Sequence, residues 1–187
     1  MRIIAGEAKG REILAPKGMN TRPTLARVKE AMFGMIQFDI EGAEVLDLFS
    51  GSGSLGIEAL SRGAKRAVFC DSGRDAYNTV KANIKKLGYE ERASVHFSDS
   101  IRLLDALAAS GECFDIVLLD PPYETPLESE AILKLEELEL LKPGAILLCE
   151  HSKLNPPVFS SAFTVKKAKK YGDSYVTYAV YEGVNEQ

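Results

Sequence analysis

The sequence has no apolar run of the roughly 18 residues that a membrane-spanning helix needs, and no signal-peptide pattern follows Met1. It contains only two histidines, and its three cysteines include no C-x-x-C pair. These absences argue against a zinc site, and we expect the cysteines to be reduced thiols of the core. The sequence therefore predicts a cytoplasmic protein without a bound metal.

The net charge is small, but the charged residues are unevenly distributed along the chain. The 187 residues carry a net charge of −4, yet residues 1–30 hold seven basic and three acidic side chains. A second basic cluster follows at Lys166, Lys167, Lys169 and Lys170. Basic clusters supply contacts to phosphates, although a lysine cluster alone is equally well explained as a solvated face. We expect the N-terminal part to contact a polyanion.

Apolar segments of strand length alternate with helical patterns from Glu44 onward, which is typical of a parallel sheet covered by helices on both faces. The predicted strands are 44–49, 67–70, 93–97, 114–119, 145–150, 163–171 and 175–181. The last two are joined by only three residues and must be antiparallel. A mostly parallel seven-stranded sheet with an antiparallel C-terminal hairpin is the Rossmann-like α/β fold of class I methyltransferases.

The periodicity also predicts helices. One covers 25–38, one 129–141, and one lies between the second and third strands after a capping box from Ser72 to Asp75. Short strands near 2–5 and 11–14 precede the first helix. With 187 residues we expect one hydrophobic core, with residues 1–40 as an RNA-binding extension of hairpin and helix and residues 41–187 as the catalytic domain.

A glycine-rich turn follows the first strand. Gly51, Gly53 and Gly56 form G-x-G-x-x-G after Ser50, where the backbone must turn tightly and approach a bound cofactor. This motif alone fits NAD as well as S-adenosylmethionine. Asp71 closes the second strand at the distance expected for a carboxylate that binds ribose hydroxyls, a device that both cofactors share.

Further acids favour the methyl donor. Asp47 precedes the glycines, where a carboxylate would attract the donor's charged amino-acid portion and repel a pyrophosphate. Asp99, between Ser98 and Ser100, follows the third strand and is placed to accept from the adenine amine. Each acid alone could be a surface or helix-capping residue, but three behind consecutive strands indicate a binding site for S-adenosylmethionine.

The fourth strand delivers Asp120-Pro121-Pro122-Tyr123 at its carboxyl end, where open α/β sheets carry their chemistry. An exocyclic base amine is a poor nucleophile because its lone pair is delocalised into the ring. The Asp120 side chain and the Pro121 carbonyl can accept from that amine, and paired prolines hold the acceptors rigid. Tyr123 offers a flat face to a base removed from its stack. The tetrapeptide predicts methyl transfer to a base amine.

These motifs resemble the RsmD family of 16S ribosomal RNA guanine-N2 methyltransferases over nearly the whole chain. The matching segments are 2–6, 10–11, 22–24, 27–30, 47–56, 58–64, 120–123 and 171–173. The chain departs from the family pattern at Asp71 and Gly73, where Glu and Asp are usual, and at Ser50, where alanine is more usual. The R-P-T-x-x-R-V-K-E segment at 22–30 narrows the choice among methyltransferases that share D-P-P-Y.

The resemblance implies methyl transfer from S-adenosylmethionine to the 2-amino group of one guanine, with the small ribosomal subunit as partner. We expect a monomer. The residues expected to contact the donor lie in the glycine turn and after the second, third and fourth strands. They are Asp47, Ser50, Gly51, Gly53, Gly56, Asp71, Ser98, Asp99, Ser100 and Asp120. The expected RNA contacts are Arg2, Arg11, Arg22, Thr24, Arg27 and Tyr123. Arg22 and Arg27 could instead pair with acids such as Asp120 or Glu30.

Three alternatives remain at this stage. A DNA adenine-N6 methyltransferase uses the same tetrapeptide, but sequence-selective ones generally carry a further recognition region. An NAD-dependent oxidoreductase would explain the glycines and Asp71 but not Asp47, the tetrapeptide or the hairpin. A non-catalytic RNA-binding protein would have no need of intact Asp47, Asp99 and Asp120. His151, just after the fifth strand, could line the base pocket or cap it.

Overall fold

A computed structural model describes residues 1–16, 23–122 and 125–183. Its strands form one seven-stranded sheet in the order β3-β2-β1-β4-β5-β7-β6. The strands are β1 Glu44–Asp47, β2 Arg66–Asp71, β3 Ala93–Phe97, β4 Phe114–Leu119, β5 Leu141–His151, β6 Phe163–Tyr171 and β7 Ser174–Tyr181. The first five are parallel, and β7 runs antiparallel to β5 and β6. The predicted class I methyltransferase fold is confirmed.

Helices alternate with the parallel strands. They are α1 Pro23–Met35, α2 Ser54–Ser61, α3 Arg74–Leu87, α4 Ser100–Ala109 and α5 Leu127–Glu137. In the part of the chain that the structure describes, none is long and apolar enough to cross a membrane. The strand order reverses between β1 and β4, which places the binding crevice at the carboxyl ends of these two strands.

The sheet separates the buried apolar side chains into two layers rather than the single core expected. One layer includes Ile3, Met32 and Phe33 together with Val45 of β1. The described part of the N-terminal forty residues therefore packs into the same core as the catalytic strands. The other layer contains Cys149, and burial raises the pKa of its thiol well above the usual value. This is consistent with an unreactive core cysteine.

Several predicted boundaries differ from those observed. The helix expected over 129–141 ends at Glu137, and β5 begins at Leu141 instead of 145. Lys142-Pro143-Gly144 therefore does not terminate a helix. The pairing of β4 with β5 shifts register between Phe114 and Ile116, so the proline lies in an irregular stretch where the regular ladder is interrupted.

The N-terminal hairpin is also shorter than predicted. A single antiparallel bridge joins Arg2 and Glu12, in place of strands at 2–5 and 11–14. The predicted capping box from Ser72 to Asp75 is wrong as well, because α3 begins after Gly73 and its first turn has no side-chain cap. Instead, Asp71 Oδ1 accepts from the Gly73 amide at 2.8 Å. The carboxylate at the end of β2 thus positions the start of this helix.

Candidate active site

A cavity of about 550 Å³ opens at the carboxyl edge of the parallel strands, within the usual size range of small-molecule sites. Its wall is built from the turns after β1 to β4, from the end of β5 and from the N-terminal region. Four carboxylates lie in the wall among the described residues, those of Asp71, Asp99, Asp120 and Glu150. The cavity therefore favours a cationic ligand over a pyrophosphate.

The glycine turn shapes one side of this cavity. Gly51 and Gly53 have φ angles of 53° and 78°, which L side chains rarely adopt. Gly56 lies in α2, where an added Cβ would stand 2.3 Å from a ring carbon of Phe69. Ser50 and Gly51 line the cavity, whereas Gly53 and Gly56 lie behind its wall. These two glycines permit the turn and the close helix–strand packing.

Asp47 also lies behind the wall, although the sequence predicted contact with the donor. Its side chain is only 1% exposed, and its Oδ2 accepts from the Gly56 amide at 2.9 Å. Burial raises the pKa of Asp47 to about 7, and the negative charge of Asp71 adds to the shift. In this structure Asp47 anchors α2 beneath the turn.

Asp71 both lines the cavity and organises it. Besides the bond to Gly73, its Oδ2 accepts from the Gly51 amide at 2.8 Å. Each carboxylate oxygen has a second lone pair, so these bonds leave acceptor capacity for ribose hydroxyls. Binding of ribose by Asp71 stays a prediction.

Ser98, Asp99 and Ser100 lie together in the wall. Asp99 caps α4, because its Oδ1 accepts from the Arg102 amide at 3.0 Å. The capping role that the sequence left open is therefore present, and it coexists with a place in the cavity. The cap fixes the orientation of the carboxylate that is predicted to bind an adenine amine.

Asp120, Pro121 and Pro122 form the wall immediately after β4. Burial raises the pKa of Asp120 well above its usual value, and the nearby charges of Glu150, Asp47 and Glu128 raise it further. A bound cation would oppose this shift by stabilising the carboxylate. Tyr123, the fourth residue of the predicted catalytic segment, lies outside the described residues.

Three functional candidates were not predicted from the sequence. Lys29 lines the cavity, and its Nζ donates to Ser54 Oγ at 3.0 Å and to the Arg2 carbonyl at 3.1 Å. Glu58 of α2 is fully buried beside it. Glu150 is an acid at the end of a buried strand, a pattern that could have singled it out. Lys29 and Glu58 lie in segments that resemble the family, but the sequence assigned no functional role to either residue.

The predicted RNA contacts fall into three groups. Arg2 and Arg11 are exposed, although Arg2 pairs with Glu12 at 3.2 Å and Arg11 donates to the Lys86 carbonyl at 2.7 Å. Arg27 is exposed and forms no ion pair with any described residue, so pairing with Asp120 or Glu30 is not observed. The whole of Arg22 and the side chain of Thr24 lie outside the described residues.

His151 and the lysine cluster occupy different surroundings. His151 is buried, does not line the cavity, and bonds through Nε2 to Thr177 Oγ1 at 2.9 Å. Neither of the two roles that the sequence left open for His151, lining the base pocket or capping it, is observed. The lysines of the cluster are exposed on β6, and α1 packs against both β6 and β7. The fold thus brings α1 and the strand that carries the lysines together.

Comparison with known proteins gives concordant matches. Residues 1–180 match the family model described as conserved hypothetical protein 95. Ribosomal RNA small subunit methyltransferase D of Haemophilus influenzae is 38% identical over 97% of this chain and 93% of its own length. The protein of the same name from Escherichia coli K12 is 32% identical over 97% of this chain and 89% of its own length.

Solved structures agree. A structure from Escherichia coli described as a methyltransferase, yhhF, superposes with a TM-score of 0.87 and 31% identity, covering 98% of this chain and 99% of that chain. An RNA methyltransferase from Salinibacter ruber in complex with S-adenosyl-L-homocysteine shares the fold, with a TM-score of 0.63, 18% identity and coverage of 90% and 98%.

Proposed function

Since the chain belongs to the RsmD family of ribosomal RNA methyltransferases, we propose that it transfers a methyl group from S-adenosylmethionine to the exocyclic N2 amine of a guanine in 16S ribosomal RNA. The observation that carries this proposal is the position of Asp120-Pro121-Pro122 in the cavity wall, at the carboxyl end of β4. The small ribosomal subunit is the proposed partner, and the proposed state is a cytoplasmic monomer.

The cavity fits a cationic methyl donor. Asp71 would bind the ribose hydroxyls, Ser98 and Asp99 would contact the adenine, and Ser50 and Gly51 would pack against the donor where the backbone is exposed. Ser100 lies in the same wall. When bound, the donor would supply an electrophilic methyl group to the amine, with S-adenosylhomocysteine as the leaving group and the proton of the amine passing to solvent.

Asp120 and Pro121 would prepare the amine for attack. The side chain of Asp120 and the carbonyl of Pro121 accept hydrogen bonds from the NH2 group, which favours a pyramidal nitrogen with its lone pair directed outward. Pro121 is buried and Pro122 follows it directly, so both acceptors belong to a rigid segment. Tyr123 is proposed to stack on the flipped base.

The RNA backbone would contact the N-terminal region. Arg2 and Arg11 belong to the hairpin, Arg22 directly precedes α1 in the sequence, and Thr24 and Arg27 belong to α1. The exposure of Arg2, Arg11 and Arg27 supports this assignment, as does the excess of basic residues in this region. Phosphate contacts of this kind fix the position of a protein on RNA without reading its sequence.

The test uses labelled donor with total RNA and with small subunits from a strain that lacks this protein. We expect N2-methylguanosine, identified by mass spectrometry, to form in small-subunit RNA. Methylated adenine in a parallel reaction with DNA would instead support the DNA adenine-N6 methyltransferase alternative, and no methylated nucleoside in either reaction would support a non-catalytic protein. Calorimetry with S-adenosylhomocysteine and with NAD provides an independent control, because binding of NAD alone would contradict the assigned donor.

A further inference from the structure

The carboxyl-terminal half of β6 lies at the same edge of the sheet as the cavity. Glu150, in the cavity wall, is paired with Val176 of β7, and Val176 is paired in turn with Lys169 of β6. Two strand spacings, about 10 Å in all, therefore separate the backbone of Lys169 from that of Glu150. Basic residues of this strand thus lie close to the place where the methyl acceptor is proposed to bind.

A β-bulge determines which lysines of β6 share a face. The pairing of β6 with β7 shifts register between Val165 and Lys167, so one extra residue lies between the two paired positions. Beyond the bulge Lys167 is paired with Tyr178, and both Tyr178 and Val176 belong to the apolar layer that α1 covers. Because the side chains of paired residues lie on the same face, Lys167 and Lys169 are directed to the side of α1.

Both of these lysines are exposed, and neither forms an ion pair with any residue that the structure describes. Lys166, in the bulge, differs from them because it is paired with Glu182 at 3.2 Å. The Nζ atom of Lys169 lies 5.5 Å from the centre of the Tyr171 ring. This contact leaves the ammonium donors of Lys169 available to an anion.

The first half of α1 brings further positive charge to the same edge. Ala26 and Lys29 line the cavity, and Arg27 between them is exposed. One acid, Asp173, lies in the turn from β6 to β7 at this edge, whereas Asp39 follows the opposite end of α1. Arg27 and the two lysines therefore outnumber the acid near the rim, although the cavity wall itself is acidic.

A guanine that enters the cavity remains attached to a backbone with a negative charge on each flanking phosphate. That backbone stays outside the acidic wall and must pass over the rim. On the side of α1 and β6 the rim carries exposed cations, which attract phosphates and fix the position of the strand without reading its sequence. The charge of this surface therefore complements the part of the substrate that the cavity cannot hold.

We propose that Lys167 and Lys169 bind phosphates of the ribosomal RNA strand that adjoins the target guanine, so that the backbone passes from α1 over the rim to β6. This inference rests on the proposed function and adds an RNA-binding surface outside the N-terminal region. The bulge is part of this surface, because it directs both lysines to the face that α1 shares.

The experiment compares two double variants that remove the same charge from the same strand. The first is Lys167→Gln with Lys169→Gln. The matched control is Lys166→Gln with Lys170→Gln, because Lys166 already has an ion pair and Lys170 is paired with Tyr175 on the opposite face. Binding to small subunits from a strain that lacks this protein is measured over a series of salt concentrations.

For the first variant we expect the slope of log affinity against log salt to fall by about 1–2. The control should show less than half of that change. Lys167→Arg with Lys169→Arg keeps both charges and should retain the slope of the parent. Neither lysine lines the cavity, so kcat at saturating subunits and the affinity for S-adenosylhomocysteine should stay close to those of the parent in every variant.

An unchanged slope in the Lys167→Gln, Lys169→Gln variant would overturn the inference, and so would an equal fall in the control, which would indicate diffuse attraction by the whole strand. Either result leaves the proposed function intact as long as the parent enzyme forms N2-methylguanosine in the subunits. A parent enzyme that binds the subunits but forms no N2-methylguanosine would overturn the proposed function and this inference together.

Discussion

The Nζ atom of Lys29 lies 3.1 Å from Oε2 of Glu58, and both side chains are almost completely buried. The same carboxylate accepts from the amides of Ile4 and Ala5 at 2.9 Å and from Nε of Arg62 at 2.9 Å. Burial lowers the pKa of Lys29, and the charge of Glu58 opposes that shift. One side chain of α2 thus joins the N-terminal hairpin and α1 to this helix.

Removing Glu58 should strongly destabilise the protein. Glu58→Ala leaves the Lys29 ammonium buried without its counter-charge and removes the acceptor of two backbone amides, so we expect a loss of about 3–5 kcal/mol in the free energy of unfolding. Urea denaturation measures it. In the control, Lys65→Ala breaks the exposed pair of Lys65 with Glu44 and should cost less than about 1 kcal/mol. Equal losses would contradict the assigned role of Glu58.

Gly6 and Gly10 form a matched pair, with φ angles of 83° and 82°. A Cβ at Gly6 would lie 1.7 Å from the backbone oxygen of Ser61, whereas a Cβ at Gly10 would meet no atom within 4 Å. Gly10→Ala should therefore cost only the backbone strain, about 1–2 kcal/mol. Gly6→Ala must displace the hairpin from α2 and should cost clearly more. Thermal unfolding of both variants tests the difference, and similar midpoints would argue against the packing described.

Asp47 should make stability depend on pH. Because its folded-state pKa is about 7 and its ordinary value is 3.8, the folded protein retains a proton that the unfolded chain loses. The associated stability is complete below about pH 4 and is lost as the pH rises through 7. Asp47→Asn should therefore gain stability relative to the parent over this range, by up to about 4 kcal/mol. Urea midpoints at pH 5 and pH 8 measure the effect, and a difference independent of pH would contradict it.

Asp120 should affect turnover far more than donor binding. Asp120→Ala removes an acceptor for the amine, and we expect kcat to fall roughly 10²–10³-fold with S-adenosylhomocysteine affinity nearly unchanged. Asp115→Ala is the control on the same strand, where Asp115 bonds to Lys142 and to the Glu44 amide instead of lining the cavity. Its kcat should remain close to that of the parent. Full activity of Asp120→Ala would exclude the tetrapeptide from the mechanism.

The N-terminal arginines should contribute to RNA affinity through charge. The double variant Arg22→Ala, Arg27→Ala should weaken binding to small subunits and reduce the slope of log affinity against log salt by about 1–2. Lys81→Ala with Lys85→Ala removes two exposed charges from α3 and should leave the slope unchanged. A change in folding stability without a change in slope would assign the arginines a structural role.

The sequence predicted the order of elements well because each buried strand has its own apolar pattern and the terminal hairpin a short turn. The bounds of β3, β4 and β6 agree with the prediction to the residue. Periodicity identifies which residues are buried but does not give the register between neighbouring strands. The sequence therefore indicated Asp120 but missed its proximity to Glu150.

Contacts between segments that are distant in the sequence could not be predicted from it either. The burial of Asp47 depends on α2 approaching β2 through Gly56, and nothing adjacent to Asp47 in sequence distinguishes a carboxylate behind the turn from one in the cavity. The link from Glu58 to the N-terminal hairpin spans more than fifty positions. Such contacts follow from tertiary packing, which local patterns do not specify.

β6 is one of the two edge strands of the sheet, and its residues 164–170 are all exposed. An open strand edge offers unpaired amides and carbonyls to any other extended chain, including a second copy of this protein. Four of these seven residues are lysines, whose mutual repulsion and hydration disfavour such pairing. Whatever they contribute to RNA binding, these lysines also protect the protein against edge-to-edge aggregation at high concentration.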